Sequence, residues 1–261
     1  MTKSIPIPKA MLQRARDFTG PPVPARPAAT VVLLQPMDKT FQVYVLKRAT
    51  TMAFGGVYAF PGGGVDESDR PELIKQDWAT RLGIPEMAAR AVVGAAAREL
   101  FEEAGVLLAG RRNELDHTVG DVSGAEWEAD RAAVAGRTLT MTQLLERREL
   151  RLRDDLLFPW ARWITPEFEP RRYDTWFFVA LLPEAQTARN VSGEADQTEW
   201  ISPAAADGLS MLPPTRSMLD DLTAYQRIEE VVVASEGRDA AAPVMPRAEQ
   251  TEDGGMVLRI P

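Results

Sequence analysis

The stretch Arg98–Val106 reads Arg-Glu-Leu-Phe-Glu-Glu-Ala-Gly-Val, and it predicts a helix that carries a chemical site. In an α-helix of 3.6 residues per turn, Glu99, Glu102 and Glu103 stand at i, i+3 and i+4, so their carboxylates share one face. The opposite face carries the apolar residues Val93, Ala97, Phe101 and Ala104. Gly105 is typical of the left-handed residue that ends a helix. The segment therefore predicts a packed helix with one acidic face.

The acidic face has two interpretations. Glutamate pairs on a helix usually form a solvated surface. Carboxylates crowded into a cleft repel one another, and a hard divalent cation such as Mg²⁺, which takes oxygen ligands, would turn that repulsion into a binding site. The complete nine-residue pattern, with its arginine and glycine at fixed positions, favours the metal site.

A glycine-rich turn, Phe60-Pro61-Gly62-Gly63-Gly64, precedes this helix. Together they resemble the Nudix hydrolase signature, G-x5-E-x7-R-E-φ-x-E-E-x-G-φ, in which φ is apolar. Two departures are clear: counted from Gly63, Asp69 replaces the family's first glutamate, and 28 residues, 70–97, replace the usual seven before Arg98. The signature is therefore split by an insertion of 21 residues.

Some Nudix hydrolases have such a split signature, and this chain resembles a branch that includes the peroxisomal coenzyme A diphosphatases. Further stretches shared with that branch are Lys47-Arg48, Phe60–Gly63, Glu102–Leu108, Arg172–Phe178 and Leu212–Thr215. The resemblance spans about residues 28 to 226. It implies an α/β fold of the Nudix type, an α/β/α sandwich with a mixed sheet, plus helical insertions.

The resemblance implies hydrolysis of a diphosphate linkage in a nucleoside diphosphate derivative. Attack on phosphorus needs charge neutralisation and a positioned water more than a covalent nucleophile. Mg²⁺ or Mn²⁺ would clamp the diphosphate oxygens and lower the pKa of a bound water. The implied catalytic residues are Arg98, Glu99, Glu102, Glu103 and Glu194, and the implied metal ligands are Gly62, Gly63, Glu99, Glu102, Glu103 and Glu194.

Within this set, the resemblance makes Glu102 and Glu103 the first expected metal ligands and Glu99 a ligand or the general base. Arg98 lies one turn before Glu102, so it can orient these carboxylates. A backbone carbonyl of Gly62 or Gly63 would supply one more oxygen, by analogy with the family.

Three acidic positions are less certain from the sequence. The family often takes a further acid from a distal loop, and Glu194 precedes a predicted strand in such a position, with a solvated loop acid as the alternative. Glu199, just before Trp200, would instead flank that strand. Asp69 has a shorter side chain than the family's glutamate, so its role stays open.

The substrate is also left open. Coenzyme A or an acyl-CoA is the leading hypothesis, but Ala49 stands where related enzymes commonly have serine, which leaves ADP-ribose, NADH and dinucleoside polyphosphates as alternatives. Lys47 and Arg48 either bind phosphate or lie at the sheet edge. Three aromatic residues could stack on a base, although aromatic residues in strands more often belong to the core: Tyr173, Trp176 and Phe177. A non-catalytic ligand sensor with the Nudix fold is the rival class.

The amino-acid composition argues against several classes of catalytic site and binding partner. The 261 residues contain no cysteine, which excludes disulfides, thiolate metal sites and a cysteine nucleophile. The single histidine, His117, lies in a polar stretch, so a Ser-His-Asp triad is not expected. A net charge of −8 disfavours nucleic-acid binding. Without a secretory signal or a long apolar run, we expect a cytoplasmic protein with no membrane partner, and a homodimer is compatible with the sequence.

The chain divides into three parts. Residues 1–27, rich in proline and arginine, predict an arm with a peripheral helix near Lys9–Phe18. Residues 28–235 predict the Nudix domain, with insertions at about 70–87 and 111–153. Residues 236–261 predict a linker and a possible strand at 255–260. We expect the first insertion to shape the substrate pocket and to be dispensable for folding, because both of its ends attach beside the catalytic turn and helix.

Periodicity and turn residues predict the elements inside the domain. The predicted strands are Ala28–Gln35, Phe41–Arg48, Val57–Phe60, Trp160–Thr165, Thr175–Leu182 and Glu199–Ser202. The predicted helices are the signature helix from Pro85 or Ala88 to Ala104, one in the first insertion, Ala125–Ala135, Met141–Glu149, a short one opened by Pro203, and one capped by Thr215 that runs to about Arg227.

Overall fold

The computed structural model describes residues 3–7, 9–51, 55–74 and 76–261. Residues 52–54, shortly after Ala49, and Lys75 of the first insertion lie outside the described residues, as do residues 1, 2 and 8 of the predicted arm. The strands are β1 Lys3–Pro6, β2 Arg26–Met37, β3 Thr40–Arg48, β4 Tyr58–Ala59, β5 Gly62–Gly64, β6 Ala109–Arg111, β7 Leu150–Leu152, β8 Leu157–Ile164, β9 Tyr173–Leu181, β10 Ala195–Ile201, β11 Pro243–Val244, β12 Arg247–Gln250 and β13 Met256–Ile260. The helices are α1 Lys9–Asp17, α2 Trp78–Leu82, α3 Glu86–Ala104, α4 Ala125–Ala135, α5 Met141–Arg147, α6 Pro213–Leu222 and α7 Ile228–Glu236.

A mixed eight-stranded sheet forms the centre of the molecule. Its order is β10-β3-β2-β9-β8-β11, with β4 paired to β3 and β5 paired to β2. Strands β2 and β9 run parallel, whereas β2 and β3 are antiparallel and pair from Leu34 with Val43 to Met37 with Thr40. The predicted strand Ala28–Gln35 and its partner Phe41–Arg48 are therefore confirmed.

Helices cover both faces of this sheet, as the prediction of an α/β/α sandwich requires. Successive side chains of a strand point to opposite faces, so Val31 and Leu33 of β2 pack toward α3 while Val32 and Leu34 join the core that includes α6 and α7. All four side chains are fully buried. Burial on both faces explains why β2 reads as an unbroken apolar run.

The signature helix is α3, and its bounds agree with the prediction. Pro85 occupies the N-cap position, and Gly105 ends the helix with φ 65°, in the left-handed region. The alternative interpretation of the acidic face, a solvated surface, does not hold. Glu99 and Glu103 are 6% and 5% exposed, so the acidic face is itself buried. Helix α3 is enclosed because β5 and the turn after it cover the face that carries the carboxylates.

The packing of the first insertion bears on the expectation that it is dispensable for folding. It contains one helix, α2, as predicted, but Trp78 and Leu82 of that helix are fully buried in the core against α3. Trp78 contacts Phe178 edge-to-face at 5.8 Å, and its indole nitrogen donates to Asp154 at 2.9 Å. The segment is part of the core, and the cost of removing two large buried side chains argues against its being dispensable for folding.

The second insertion, 111–153, contains the predicted helices as α4 and α5. Strands β6 and β7, which were not predicted, pair antiparallel at the two ends of the segment. Three residues per strand give too little alternation for a strand to be recognised from periodicity. This strand pair brings the two ends of the insertion together, so α4 and α5 belong to one segment that leaves the domain and returns to it at the same place.

The C-terminal third departs from prediction in two places. Thr215 does not cap a helix: α6 begins after Leu212, with prolines at its first positions, and ends at Leu222, and a separate helix α7 follows. The predicted linker 236–252 includes β11, which adds to the central sheet beside β8, and β12. The predicted final strand is present as β13 and pairs with β1 and β12. None of the described helices is long and apolar enough to cross a membrane.

Candidate active site

The glycine-rich turn lies directly against the carboxylates of α3. Strand β5 pairs with Ala28–Thr30 of β2, which fixes the turn beside the helix. The backbone N–H of Gly62 donates to Oε2 of Glu103 at 2.9 Å. A Cβ atom at Gly63 would lie 2.5 Å from Oε1 of Glu99, so the packing of that carboxylate requires glycine. The structure thus brings together Gly62, Gly63, Glu99 and Glu103, as the sequence predicted.

Arg98 is the centre of the site. Its side chain is 1% exposed, and every polar group of the guanidinium donates to an acceptor of the protein. Nη1 donates to Oε1 of Glu99 at 2.6 Å and to Oε1 of Glu102 at 3.1 Å, and Nη2 donates to the carbonyl of Gly64 at 2.8 Å. The predicted orienting contacts of Arg98 with Glu99 and Glu102 are therefore present.

Asp69 holds the other edge of the Arg98 guanidinium. Its two carboxylate oxygens accept from Nε at 2.7 Å and from Nη2 at 3.0 Å, which is the bidentate geometry that gives strong pairs. The same carboxylate accepts from the N–H of Asp66 and so closes a capping box on the 3-10 turn Glu67–Asp69. A Cβ atom at Gly94, one turn before Arg98, would overlap the Asp69 carbonyl oxygen. Gly94, which the sequence reasoning missed, thus allows Asp69 to reach Arg98.

Burial and like charges act against ionisation of the glutamates. Burial raises the pKa of Glu103 to about 8, and the nearby charges of Glu99 and Glu194 add to the effect. Burial also raises the pKa of Glu99 to about 7 and raises that of Glu102, in both cases against the attraction of Arg98. Burial therefore disfavours the charged form of each glutamate, even beside Arg98.

The donor chemistry of the cluster fits a hard divalent cation. The hydrogen bonds described above use Oε1 of Glu99 and Glu102 and Oε2 of Glu103, so the second oxygen of each carboxylate remains as a potential ligand. A cation would also lower these pKa values, because it would stabilise the charged carboxylates against the cost of burial. Among the residues that the structure describes, no group of three or more Asp, Glu, His or Cys side chains is arranged so that it could hold a metal ion. The glutamates therefore have the donor chemistry that suits a divalent cation, but their side chains are not gathered into one ligand set in this arrangement.

Glu194 and Arg48 come from the opposite side of the site. Glu194 is exposed, immediately before β10, and its carbonyl accepts from the N–H of Ala49 at 2.8 Å. The charges of both Glu194 and Arg48 act on the pKa of Glu103, in opposite directions. Lys47 faces away toward Tyr58, with its Nζ 5.9 Å from the ring centroid. Glu194 and Arg48 are therefore within electrostatic range of the carboxylates.

A cavity of about 430 Å³ opens beside the cluster. Its lining includes Gly64, Asp66 and Arg98 from the catalytic side and Arg137, Leu139 and Thr140 from the loop between α4 and α5. None of the described residues of the first insertion, 70–87, lies in this lining, so this cavity does not support the expectation that the insertion shapes the substrate pocket. Arg137 was missed from the sequence because it lies 35 residues beyond Glu102 in a stretch without a recognisable motif.

The aromatic residues and the histidine belong mostly to the framework. Trp176 and Phe177 of β9 are buried in the core, whereas Tyr173 at the start of that strand is exposed. Nδ1 of His117 accepts from the N–H of Arg111 at 3.2 Å, which orders the loop after β6. The core interpretation of Trp176 and Phe177 is therefore confirmed.

Comparison with known proteins agrees with this site. The family model described as the NUDT19 Nudix domain matches residues 75–210, more than half of the chain. The chain is 28% identical over 232 residues to "Putative nudix hydrolase 7" of Caenorhabditis elegans, covering 87% of this chain and 69% of that protein. It is also similar to the crystal structure of a Nudix hydrolase from Alicyclobacillus acidocaldarius, with a TM-score of 0.61 and 28% identity over 84% of this chain and 99% of that one.

The chain belongs to the Nudix family and is a Nudix hydrolase. This confirms the resemblance and the fold class predicted from the sequence, and it favours the enzyme over the non-catalytic sensor. Nudix hydrolases act on diphosphate linkages of nucleoside diphosphate derivatives and generally use a divalent metal such as Mg²⁺ or Mn²⁺. The individual residue roles, the domain boundaries, the cytoplasmic location and the homodimer stay predictions.

Proposed function

We propose that this protein hydrolyses the diphosphate linkage of coenzyme A or an acyl-CoA, with Mg²⁺ or Mn²⁺ held by the carboxylates of α3. The observation that carries the proposal is the buried cluster in which Arg98 binds Asp69, Glu99 and Glu102 beside the glycine-rich turn. Water would add to one phosphorus atom as the bridging P–O bond breaks, which gives 3′,5′-ADP and a phosphopantetheine product.

Each residue of the cluster has a definite task in this reaction. Glu102 and Glu103 would hold the metal, which would supply charge neutralisation and would lower the pKa of a bound water. Glu99 serves as a further ligand or as the base that accepts the proton of the water, and its raised pKa of about 7 suits proton exchange near neutral pH. Arg98, buried and saturated with acceptors, is a positioning residue that fixes Glu99 and Glu102.

Two residues act from the far side of the cluster. Glu194 is a candidate for an additional ligand or base, since its charge already acts on Glu103. Arg48, at the end of β3, contributes positive charge on the same side and is the better candidate for a phosphate contact than Lys47, whose Nζ lies over Tyr58. A carbonyl of Gly62 or Gly63 would complete the oxygen donors.

The choice of coenzyme A rests on the split signature, on the stretches shared with the coenzyme A diphosphatase branch and on the match to the NUDT19 Nudix domain. Ala49, which replaces a serine common in related enzymes, leaves ADP-ribose, NADH and dinucleoside polyphosphates as the alternatives. All of these contain a diphosphate bridge, so the same carboxylates would serve each of them.

A substrate panel tests the proposal. The kcat/KM values for CoA, dephospho-CoA, ADP-ribose and NADH are compared in Mg²⁺ and in EDTA, with product identity established by chromatography. We expect CoA to be preferred and EDTA to abolish turnover. A tenfold preference for ADP-ribose or NADH would overturn the coenzyme A assignment and leave the hydrolase intact, whereas full activity in EDTA would overturn the metal assignment.

A further inference from the structure

The cavity beside α3 contains two arginines that differ in their availability. Arg98 is buried and donates to Asp69, Glu99, Glu102 and the Gly64 carbonyl, so it has no donor left for a ligand. The side chain of Arg137 is 52% exposed and has one long ion-pair contact, 3.9 Å from Nη1 to Oε1 of Glu102. In the described lining of this cavity, Arg137 is the cation that an anionic ligand can reach.

The backbone holds Arg137 in a fixed and strained conformation. Its φ is 58°, in the left-handed region that costs a non-glycine residue free energy. The N–H of Arg137 donates to the carbonyl of Val134 at 3.0 Å, and the N–H groups of Thr138 and Leu139 both donate to that of Ala133. Thr140 then caps α5. The turn is therefore hydrogen-bonded on both sides of Arg137.

Helix α4, which carries this turn, is attached to the catalytic helix. Nη1 of Arg131 donates to the backbone carbonyl of Glu102 at 3.1 Å. Val134 is 1% exposed in the core, and Glu128 pairs with Arg189, whose N–H donates to the carbonyl of Ala104 at the end of α3. These contacts fix the position of the turn relative to the carboxylate cluster.

We propose that Arg137 is the phosphate-binding residue contributed by the second insertion, and that it determines the affinity for the diphosphate of the substrate. The inference rests on the proposed function, because it takes the carboxylate cluster as the place of reaction. A guanidinium forms paired hydrogen bonds with phosphate oxygens, and a turn whose backbone is already fixed does not have to be ordered when the side chain binds. The left-handed strain at Arg137 is then the cost of aiming this side chain at the cavity.

The test compares Arg137→Asn with wild type. Asparagine tolerates the left-handed conformation better than arginine, so the variant should melt at the wild-type temperature or above. Its Kd for α,β-methylene-ADP in Mg²⁺, measured by calorimetry, should rise about tenfold, which corresponds to one paired phosphate contact. The KM of the preferred substrate should rise to a similar extent, with kcat within about twofold. Arg137→Lys should recover part of the affinity.

Arg111→Asn is the matched control, because Arg111 is a comparably exposed arginine that pairs with Glu114 outside the cavity lining. It should leave the Kd unchanged. Unaltered Kd and KM in Arg137→Asn would overturn the proposal, as would a wild type that fails to bind α,β-methylene-ADP. If Arg137→Asn changed the Mg²⁺ concentration needed for activity and left KM unchanged, the proposal would also be overturned, and Arg137 would act through its ion pair with Glu102. A wild type that binds the analogue through Arg137 but hydrolyses no substrate would refute the proposed function alone.

Discussion

The two inserted segments of this chain have opposite relations to the active site. The first, residues 70–87, splits the signature in the sequence, yet Trp78 and Leu82 are buried in the core and none of its described residues lines the cavity beside α3. The second, residues 111–153, lies outside the signature, yet its α4–α5 turn places Arg137 and Thr140 at that cavity. Distance along the sequence from the catalytic motif therefore does not indicate which segment lines this cavity.

Composition distinguishes the two segments better than position does. A tryptophan and a leucine four residues apart, as in α2, form one apolar stripe that has to be covered. The α4–α5 turn is polar and basic at its tip, which suits a surface that meets an anion. An inserted segment is thus a candidate for substrate binding where its polar residues project from an anchored helix.

The largest effect is expected from the first insertion. Trp78→Ala should lower the free energy of unfolding by about 3–5 kcal/mol, because it removes a fully buried aromatic side chain and leaves Asp154 without the indole donor. Replacement of residues 70–87 by a short Gly/Ser loop should yield no soluble folded protein. Urea denaturation followed by circular dichroism measures the first, and expression with size-exclusion chromatography the second.

Met87 provides the control within the same segment, because it is 54% exposed. Met87→Ala should change the free energy of unfolding by no more than about 0.5 kcal/mol. If Trp78→Ala were as stable as Met87→Ala, the first insertion would be peripheral after all and the contrast between the two segments would disappear.

The largest effect on kcat is expected from helix α3, which lies between the two insertions in the sequence. Glu103→Gln should lower kcat at least about a hundredfold, because it removes a charged metal ligand. The amide oxygen can still accept from Gly62, and a neutral side chain avoids the cost of ionising a buried carboxyl, so the melting temperature should be equal or higher. Glu86→Gln is the control on the same helix, since Glu86 is exposed and pairs with Arg90. Wild-type kcat in Glu103→Gln would remove α3 from the catalytic assignment.

The helix and sheet at the centre of the fold could be predicted because their patterns are long. Helix α3 has 19 residues, a proline before it and a glycine after it, and β2 is a long apolar run. The pairing of β6 with β7 could not be predicted, since three residues per strand carry no usable periodicity. Helix α7 was missed because its boundary with α6 has no glycine or proline to mark it.

The site could be predicted only as far as the motif extends. Residues on one helix have a known spatial relation, so the shared location of Glu99, Glu102 and Glu103 followed from their spacing. Asp69 and Gly94 meet only because two separate segments pack together, and the sequence gives no measure of that distance. The same holds for Arg137, which reaches Glu102 through the packing of α4 on α3.

Asp69 joins the first insertion to the site, and its replacement should have an intermediate effect. Asp69→Asn removes the charge that pairs with both Nε and Nη2 of Arg98, and an amide N–H₂ group would face the guanidinium donors. We expect unfolding free energy to fall by about 1–3 kcal/mol, the cost of an unsatisfied buried polar group. The kcat should fall about tenfold, since Arg98 then holds Glu99 and Glu102 less rigidly.

Asp69→Glu restores the charge with a longer side chain and serves as the rescue variant. It should recover more kcat than Asp69→Asn, because a carboxylate can again accept from Arg98. Equal kcat in wild type and Asp69→Asn, at a temperature where both are folded, would show that Asp69 stabilises the fold without positioning the catalytic groups.

The smallest effect tests the anchoring of the second insertion. Arg131→Met keeps an unbranched side chain that can cover the apolar surface but cannot donate to the carbonyl of Glu102. Val134 still fixes α4 in the core, so the free energy of unfolding should fall by only about 0.5–1.5 kcal/mol. Because the turn that carries Arg137 then becomes less ordered, the KM for the diphosphate substrate should rise about threefold with kcat unchanged. Arg131→Lys, which keeps a donor, should have a KM between that of wild type and that of Arg131→Met. A fall in kcat at constant KM would mean that Arg131 acts on the catalytic helix through Glu102, and the division between a structural first insertion and a substrate-binding second insertion would have to be redrawn.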